Sequence, residues 1–154
     1  MPTKIATQKR KIREFIADRH IVSGLGSAAE SCSIGDINLA LGFGLTDSVP
    51  EFMSLVIGKW IIPIQDSMPD DMRNSAQWKK LLVQAAFTGR DHELELKRFD
   101  VLLAWLVTDV LPTLQPIADR AARAARAARA APTVGFWQKV DPCRVLAAMV
   151  KVSA

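Results

Sequence analysis

Residues 91–111 read DHELELKRFDVLLAWLVTDVL, a strongly apolar segment with helical periodicity in a chain of 154 residues. Asp91 is a residue type that favours a helix N-cap. Apolar side chains then recur every three or four positions, as they do along one side of a helix: Leu94, Phe99, Leu102, Leu103, Leu106, Val110 and Leu111. The pattern predicts a helix with a wide apolar stripe at the centre of the domain.

Further helical segments with start and stop residues lie on both sides of this helix. Upstream, periodic segments cover residues 7–19, 34–41, 50–63 and 69–89, and downstream Asp141-Pro142 begins a last helix. We expect caps at Ser27 with Glu30, at Ser48, and in the turn 66–71, and ends at Gly42 and Gly89. Pro63 is expected to end or kink its helix. Pro112 and Pro116 are expected to divide the apolar helix from the segment that follows. Lys59 to Gln65 is the only segment in which a strand competes with a helix as the predicted structure.

These segments predict an all-α fold, a compact bundle of six or seven helices in a single domain over residues 1–154. We divide it into a basic N-terminal helix and loop (1–30), core helices (31–116), an Ala/Arg helix (117–131) and a C-terminal amphipathic helix (132–154). The two most hydrophobic helices are expected to bury Leu55, Trp60, Leu102, Trp105 and Leu106. The remaining tryptophans, Trp78 and Trp137, are expected in the core as well.

Composition favours a cytoplasmic globular protein. Apolar residues make up 49% of the chain, and a chain of this length can bury a core without a metal or disulfide. Cys32 and Cys143 have no CxxC spacing, which suits a reducing compartment and small buried thiols. The N-terminus lacks the apolar region of a secretory signal. We expect no membrane-spanning segment, because the longest charge-free apolar stretches fall far short of about 18 residues.

The net charge of +4 is unevenly distributed along the chain. Residues 1–19 hold six Lys/Arg and two Asp/Glu, a net charge of +4. Residues 20–116 hold seven Lys/Arg and twelve Asp/Glu, a net charge of −5. Residues 117–131 then carry +3 and residues 132–154 carry +2. Basic ends on an acidic body favour contact with an anionic partner or with the body itself.

Residues 120–131 repeat Arg-Ala-Ala four times, with Arg120, Arg123, Arg126 and Arg129 as the basic positions. On a helix each Arg falls about 60° behind the previous one, so the four cover half of the circumference. The opposite arc carries Ile117, Ala121, Ala124, Ala125 and Ala128. The Arg side chains either contact phosphates or are solvated while the Ala face packs on the acidic body, and we favour the second alternative.

The N-terminal helix offers the other group of candidate contacts, Lys9, Arg10, Lys11 and Arg13. These residues either bind phosphates of nucleic acid or of a membrane, or form an ordinary solvated helix face. No aromatic side chains are interleaved with them, and we favour the solvated face.

No residue set in the chain matches a catalytic, cofactor-binding or metal-binding pattern. Asp66, Asp70 and Asp71 lack the alternation of a calcium loop and are better explained as helix caps. His20 and His92 follow no metal-ligand spacing, and His92 is expected to be exposed in a first turn. We therefore predict no cofactor and no metal ion.

Several elements resemble a bacterial and phage-associated helical family whose members carry Ala/Arg-rich tracts toward the C-terminus. The resembling elements cover roughly residues 34–150 and comprise INLALG at 37–42, LTDS at 45–48, PDD at 69–71, TGR at 88–90 and Ala104-Trp105. The sequence departs from the family at Ser54-Leu55, where a Cys-x-Pro-like element is expected, and in its shorter Ala/Arg tract. The resemblance implies the helical fold and a bacterial or phage setting, and it implies no activity.

Together these observations favour a non-enzymatic interaction module that acts through protein–protein contact. A basic accessory protein that binds nucleic acid is the alternative, and an enzyme with a dispersed site is the third. The partner and the oligomeric state are not indicated by the sequence.

Overall fold

The computed structural model describes residues 3–123 and 134–152, and the side chains of 118–123 and 134 are not described. Within these ranges the chain is all-α, a single domain without strands apart from an isolated bridge between Gly26 and Ser31. The helices are α1 (Lys4–Ile16), α2 (Ser33–Leu41), α3 (Leu55–Ser67), α4 (Asp70–Arg73), α5 (Ala76–Ala85), α6 (His92–Trp105), α7 (Leu111–Arg123), α8 (Val134–Val140) and α9 (Pro142–Lys151).

A π-helical turn, Leu106–Val110, joins α6 and α7 into one uninterrupted helix, which we call the long helix. Counted this way, the described residues form seven helices of seven residues or more, and α4 adds a single turn. The predicted all-α bundle is therefore confirmed.

Several of the predicted caps are confirmed. Asp91 accepts a hydrogen bond from the Leu94 amide at 3.0 Å and begins α6. Asp141 accepts one from the Arg144 amide at 3.1 Å and begins α9. Gly42 ends α2 in the left-handed conformation at φ 82°, which glycine adopts at little cost.

The predicted start of α3 at Ser48 and Pro50 is wrong, because the helix begins at Leu55 and is capped by Ser54. The guanidinium of Arg90 explains the difference. Its Nη2 donates to the carbonyls of Val49 (2.8 Å) and Pro50 (3.1 Å), and its Nε donates to that of Met53 (3.1 Å). These bonds from a distant residue hold the segment before α3 in a turn.

Two other local predictions are also wrong, and the alternatives around Pro63 are decided in favour of a continuing helix. Ser27 and Glu30 do not start a helix, since the Ser27 amide donates to the Glu30 carbonyl at 2.7 Å and closes a tight turn. Residues 69–89 form two helices, because α4 ends at Asn74 and Ser75 caps α5. Pro63 lies inside α3, which continues to Ser67 and contains the whole candidate strand 59–65.

The core lies between α2, α3, α5 and α9, with α1 packed on α2 and α5 and with α6 packed on α9 and α3. Three tryptophans form its centre. The ring of Trp60 meets Trp105 edge-on at 5.7 Å between centroids and Trp78 at 6.2 Å. All three rings are buried, as is Trp137, so their predicted core positions are confirmed. Cys32 and Cys143 are also buried.

Leu55 and Leu106 are not core residues, contrary to the prediction. Leu55 is 41% exposed at the first position of α3, and Leu106 is 37% exposed at the start of the π-helical turn. Leu102 is only partly buried. The long helix is therefore attached along one side of the bundle. It does not run through the centre, as the periodicity of its apolar residues suggested.

The expected break at Pro112 and Pro116 does not occur either. The widened turn lies directly before Pro112, where the Leu111 amide donates to the Leu106 carbonyl five residues earlier. Pro112 has no amide hydrogen, so it cannot donate the hydrogen bond to the fourth preceding carbonyl that an α-helix requires. A wider turn accommodates this loss. Pro116 lies within α7.

The different burial of Leu146 and Leu55 predicts losses of stability of different size. Leu146 on α9 is fully buried, so Leu146→Ala is expected to lower the free energy of unfolding by about 2–5 kcal/mol. Leu55→Ala removes the same atoms from an exposed site and is expected to cost about 1 kcal/mol or less. Urea denaturation monitored by circular dichroism measures both, and equal losses would contradict the placement of Leu55.

Candidate functional site

A groove with basic residues along its sides lies between α1 and α5. Its volume is about 510 Å³, and it is lined by Lys9, Arg13, Ile16, Ala17, Ala76, Lys79, Lys80, Val83 and Gln84. We call it the basic groove. Each helix contributes two cations to it, while Ile16, Ala17, Ala76 and Val83 provide apolar lining. Such a groove can take a ligand that combines an apolar surface with negative charge.

The cations of the basic groove are not equally available to a ligand. The Nζ of Lys79 already donates to the carbonyls of Ala17 (3.0 Å) and Arg19 (2.7 Å) beyond the C-terminal end of α1. Lys9 lies with its Nζ 6.0 Å from the centroid of the Phe87 ring. Arg13 and Lys80 line the groove without an ion pair to an acid among the described side chains.

The four predicted contacts on α1 therefore do not act as one set. Lys9 and Arg13 line the basic groove, whereas Arg10 and Lys11 are exposed and do not line it. Arg10 is 4.0 Å from Glu14 on the same helix, and both side chains are well exposed. Sequence reasoning missed Lys79 and Lys80, because nothing in the spacing along α5 indicates that it lies beside α1.

The second set of predicted contacts can be located only in part. Arg120 and Arg123 lie in the last turn of α7, and their side chains are not described. Arg126 and Arg129 lie outside the described residues, as do Ala124, Ala125 and Ala128 of the predicted packing face.

A continuous apolar surface runs along the outer side of the long helix. We call it the apolar stripe, and each of its members is 37–57% exposed: Leu96, Phe99, Leu103, Leu106, Val107, Leu111, Leu114 and Ile117. Exposed apolar residues scattered singly are ordinary on a protein surface, but a contiguous row of this size marks an interaction site.

The orientation of the apolar stripe follows from how the long helix is attached. In α6 only Arg98 and Trp105 are buried, and they lie seven residues apart, on the same side of the helix. The Trp105 indole N–H donates to the Val140 carbonyl. The Arg98 guanidinium donates to the carbonyl of Thr88 at 2.8 Å and to Glu95 at 2.8 Å. With this side fixed against the bundle, the apolar stripe faces solvent.

An ion pair extends this attachment to the π-helical turn. Arg144 on α9 donates from Nη2 to Asp109 at 2.7 Å. The hydrogen bond from Arg144, followed by that from Thr108, lowers the pKa of Asp109 below its ordinary value. The apolar stripe therefore lies on a helix that is fixed to the bundle at Arg98, Trp105 and Asp109.

The apolar stripe also bears on whether the chain contacts a membrane. Among the described residues, one helix segment, His92–Ile117, is long and apolar enough by length and composition to cross a membrane, and 11% of its most apolar 18-residue stretch is buried. A span would place Asp109 near the bilayer centre together with Arg144 of the neighbouring α9. Charged groups at that depth are costly. The absence of a membrane span therefore stays a prediction.

The described residues show no group of three or more His, Cys, Asp or Glu that could hold a metal ion. His92 is exposed, as predicted, and His20 lies 3.0 Å from both oxygens of Asp70. Burial raises the pKa of Cys143 to about 11, with Asp141 as a smaller cause. Burial also raises the pKa of Cys32. Both thiols are therefore protonated near neutral pH and poor nucleophiles.

Comparison with known proteins adds no family to these observations. The chain matches no family model, no curated protein and no solved structure. The resemblance to a bacterial and phage-associated family therefore stays a prediction.

The ion pair between buried Arg98 and partly buried Glu95 predicts a pH dependence of stability. Burial raises the pKa of Glu95, but hydrogen bonds from Ser54, the Val56 amide and Arg98 outweigh it, so the net shift is downward. A carboxylate with a lowered folded pKa stabilises the fold above its unfolded pKa, about 4.3 for Glu, and this stabilisation is lost as the pH falls through the folded value.

We therefore expect Glu95→Gln to lower the melting temperature most above about pH 5, and the difference from wild type to shrink at lower pH. Thermal denaturation over a pH series measures the effect. Glu93→Gln is the matched control, because Glu93 is an exposed acid in the same first turn. A Glu95→Gln penalty that stayed constant down to the acid limit would contradict the assigned pKa shift.

Proposed function

We propose that this chain is a non-enzymatic helical module that acts by binding protein, and that the apolar stripe of the long helix is its contact surface. The observation that carries the proposal is the row of eight apolar residues, Leu96 to Ile117, exposed on a helix whose other side is fixed to the bundle. An amphipathic or apolar helix face that is open to solvent is a common way for one protein to recognise another.

The chemistry of the described polar groups also supports a binding role. The strongly buried polar side chains Arg73 and Arg98 bind backbone carbonyls, and Asp36 accepts from Ser31 and Arg19. Each of these contacts organises a loop or a helix end. None of them places a nucleophile beside a base in an open cleft, which is the arrangement that catalysis requires.

We also place the module in the cytoplasm of a bacterium or a phage-infected cell. Two buried, unpaired cysteines support a reducing compartment. The bacterial or phage setting rests on the family resemblance of residues 34–150.

The proposed function is tested by affinity capture with matched variants. A tagged chain is used as bait in nuclease-treated extract that also contains an untagged copy, and the untagged copy and host proteins are scored separately. We expect Leu103→Glu to lose the captured protein, because Leu103 is 47% exposed within the apolar stripe. Ala104→Glu is the control, since Ala104 is exposed on the side facing α9. Capture that Leu103→Glu leaves unchanged would contradict the proposal.

A second candidate function, binding of nucleic acid, is favoured by the basic groove. Lys9, Arg13 and Lys80 converge there from two helices, although they come from separate segments of the sequence. Phosphate contacts of this kind would make binding strongly salt-dependent. The apolar lining of the groove argues for a ligand that is not purely a phosphate chain, so we rank this function below protein binding.

Heparin chromatography separates the two functions. If the basic groove binds phosphates, the triple variant Lys9→Gln, Arg13→Gln and Lys80→Gln elutes at much lower salt than a control with equal charge loss at the exposed residues Lys59, Lys97 and Lys139. We expect instead that the two variants elute at the same salt concentration, because the overall positive charge of the chain accounts for its retention on heparin. Selective loss by the groove variant would promote nucleic-acid binding to the leading function.

A further inference from the structure

The apolar stripe is nearly large enough to form a stable interface by itself. With ordinary side-chain surfaces, its eight members expose on the order of 700 Å² in total. A standard interface buries about 800 Å² on each partner. The stripe extends over about 30 Å from Leu96 to Ile117, so the surface that matches it best is another straight apolar helix face of equal length.

Charge along the long helix gives the direction of such a partner. Residues 91–100 carry four acids against two bases, a net −2, and residues 119–123 carry two arginines against Asp119, a net +1. An antiparallel copy would bring the acidic start of each helix beside the basic end of the other. Parallel copies would place like charges together at both ends, which is unfavourable.

The spacing of the apolar stripe fits an antiparallel arrangement as well. A two-fold axis near Val107 pairs Leu96 of one copy with the region of Ile117 in the other, and Leu103 with the region of Leu111. The π-helical turn lies at this midpoint and leaves both Leu106 and Val107 exposed. A two-fold interface uses the same patch on both subunits, and the stripe is self-complementary in this way.

We propose that the apolar stripe binds a second copy of this chain, with the two long helices antiparallel about a two-fold axis at Val107. This inference rests on the proposed function, because it names the partner of the same surface. Exposed apolar area, matched length and opposite charge at the two ends of one helix support a second copy over any other occupant.

Sedimentation equilibrium of the full chain tests the proposal. Wild type is expected to sediment as a dimer at micromolar concentration. Val107→Glu places two like charges at the axis and is expected to raise the dissociation constant by roughly 100-fold or more. Ala104→Glu adds the same charge on the side facing α9 and is expected to remain dimeric. Circular dichroism of each variant verifies the fold, and wild type that remains monomeric at about 100 μM would overturn the inference.

Disulfide cross-linking tests the direction of the helices. Val107→Cys is expected to link to its own copy, because the axis brings the two Cβ atoms together. Leu96→Cys is expected to link only when mixed with Ile117→Cys. Linking of Leu96→Cys to itself would indicate parallel helices and overturn the inference. The native thiols Cys32 and Cys143 are buried and do not compete.

The same variants separate this inference from the proposed function. If wild type is monomeric and captures a host protein that Leu103→Glu loses, the second-copy inference is overturned while the proposed protein-binding function is retained. If the stripe variants still capture protein and still dimerise, both the proposed function and the second-copy inference are overturned. Vesicles of phosphatidylcholine and phosphatidylglycerol test the remaining alternative, a lipid surface. If monomeric wild type binds the vesicles and Val107→Glu does not, a lipid surface occupies the stripe and the inference is wrong.

Discussion

The attachment of the long helix depends on one side chain, Trp105. Its ring contacts Trp60 in the centre of the core, and its indole N–H binds the Val140 carbonyl where α8 ends. Arg98, two turns earlier, is the other buried residue of α6. Because both lie on one side of the helix, they fix its rotation, and every apolar residue on the opposite side remains in solvent.

Arginine contacts with backbone carbonyls determine the connections between helices. Arg73 binds the carbonyls of Ile21 and Gln65, Arg90 those of the segment before α3, and Arg98 those of Thr88 and Gly89. A buried carbonyl without a partner is costly. Long, charged side chains from elsewhere in the chain therefore supply hydrogen bonds that these segments cannot make within themselves.

The two candidate surfaces differ in what they could recognise. The basic groove has an apolar lining and cations from α1 and α5, so it suits an amphipathic anion. The apolar stripe consists of apolar side chains, and the long helix has opposite net charge at its two ends. This difference is the reason why we propose the stripe as the contact surface: the stripe is extended, whereas the groove is shared with internal contacts of Lys79.

The sequence by itself determined the helical class, the caps at Asp91 and Asp141, and the burial of all four tryptophans, because these features depend on local capping chemistry and residue type. It did not determine the start of α3, the partition of the basic residues of α1, or the exposure of Leu106. Those depend on contacts with residues far away in sequence, such as Arg90 and Lys79. Periodicity identified the apolar residues of the long helix, but only packing through Trp105 and Arg98 decided which of them the bundle covers and which remain exposed.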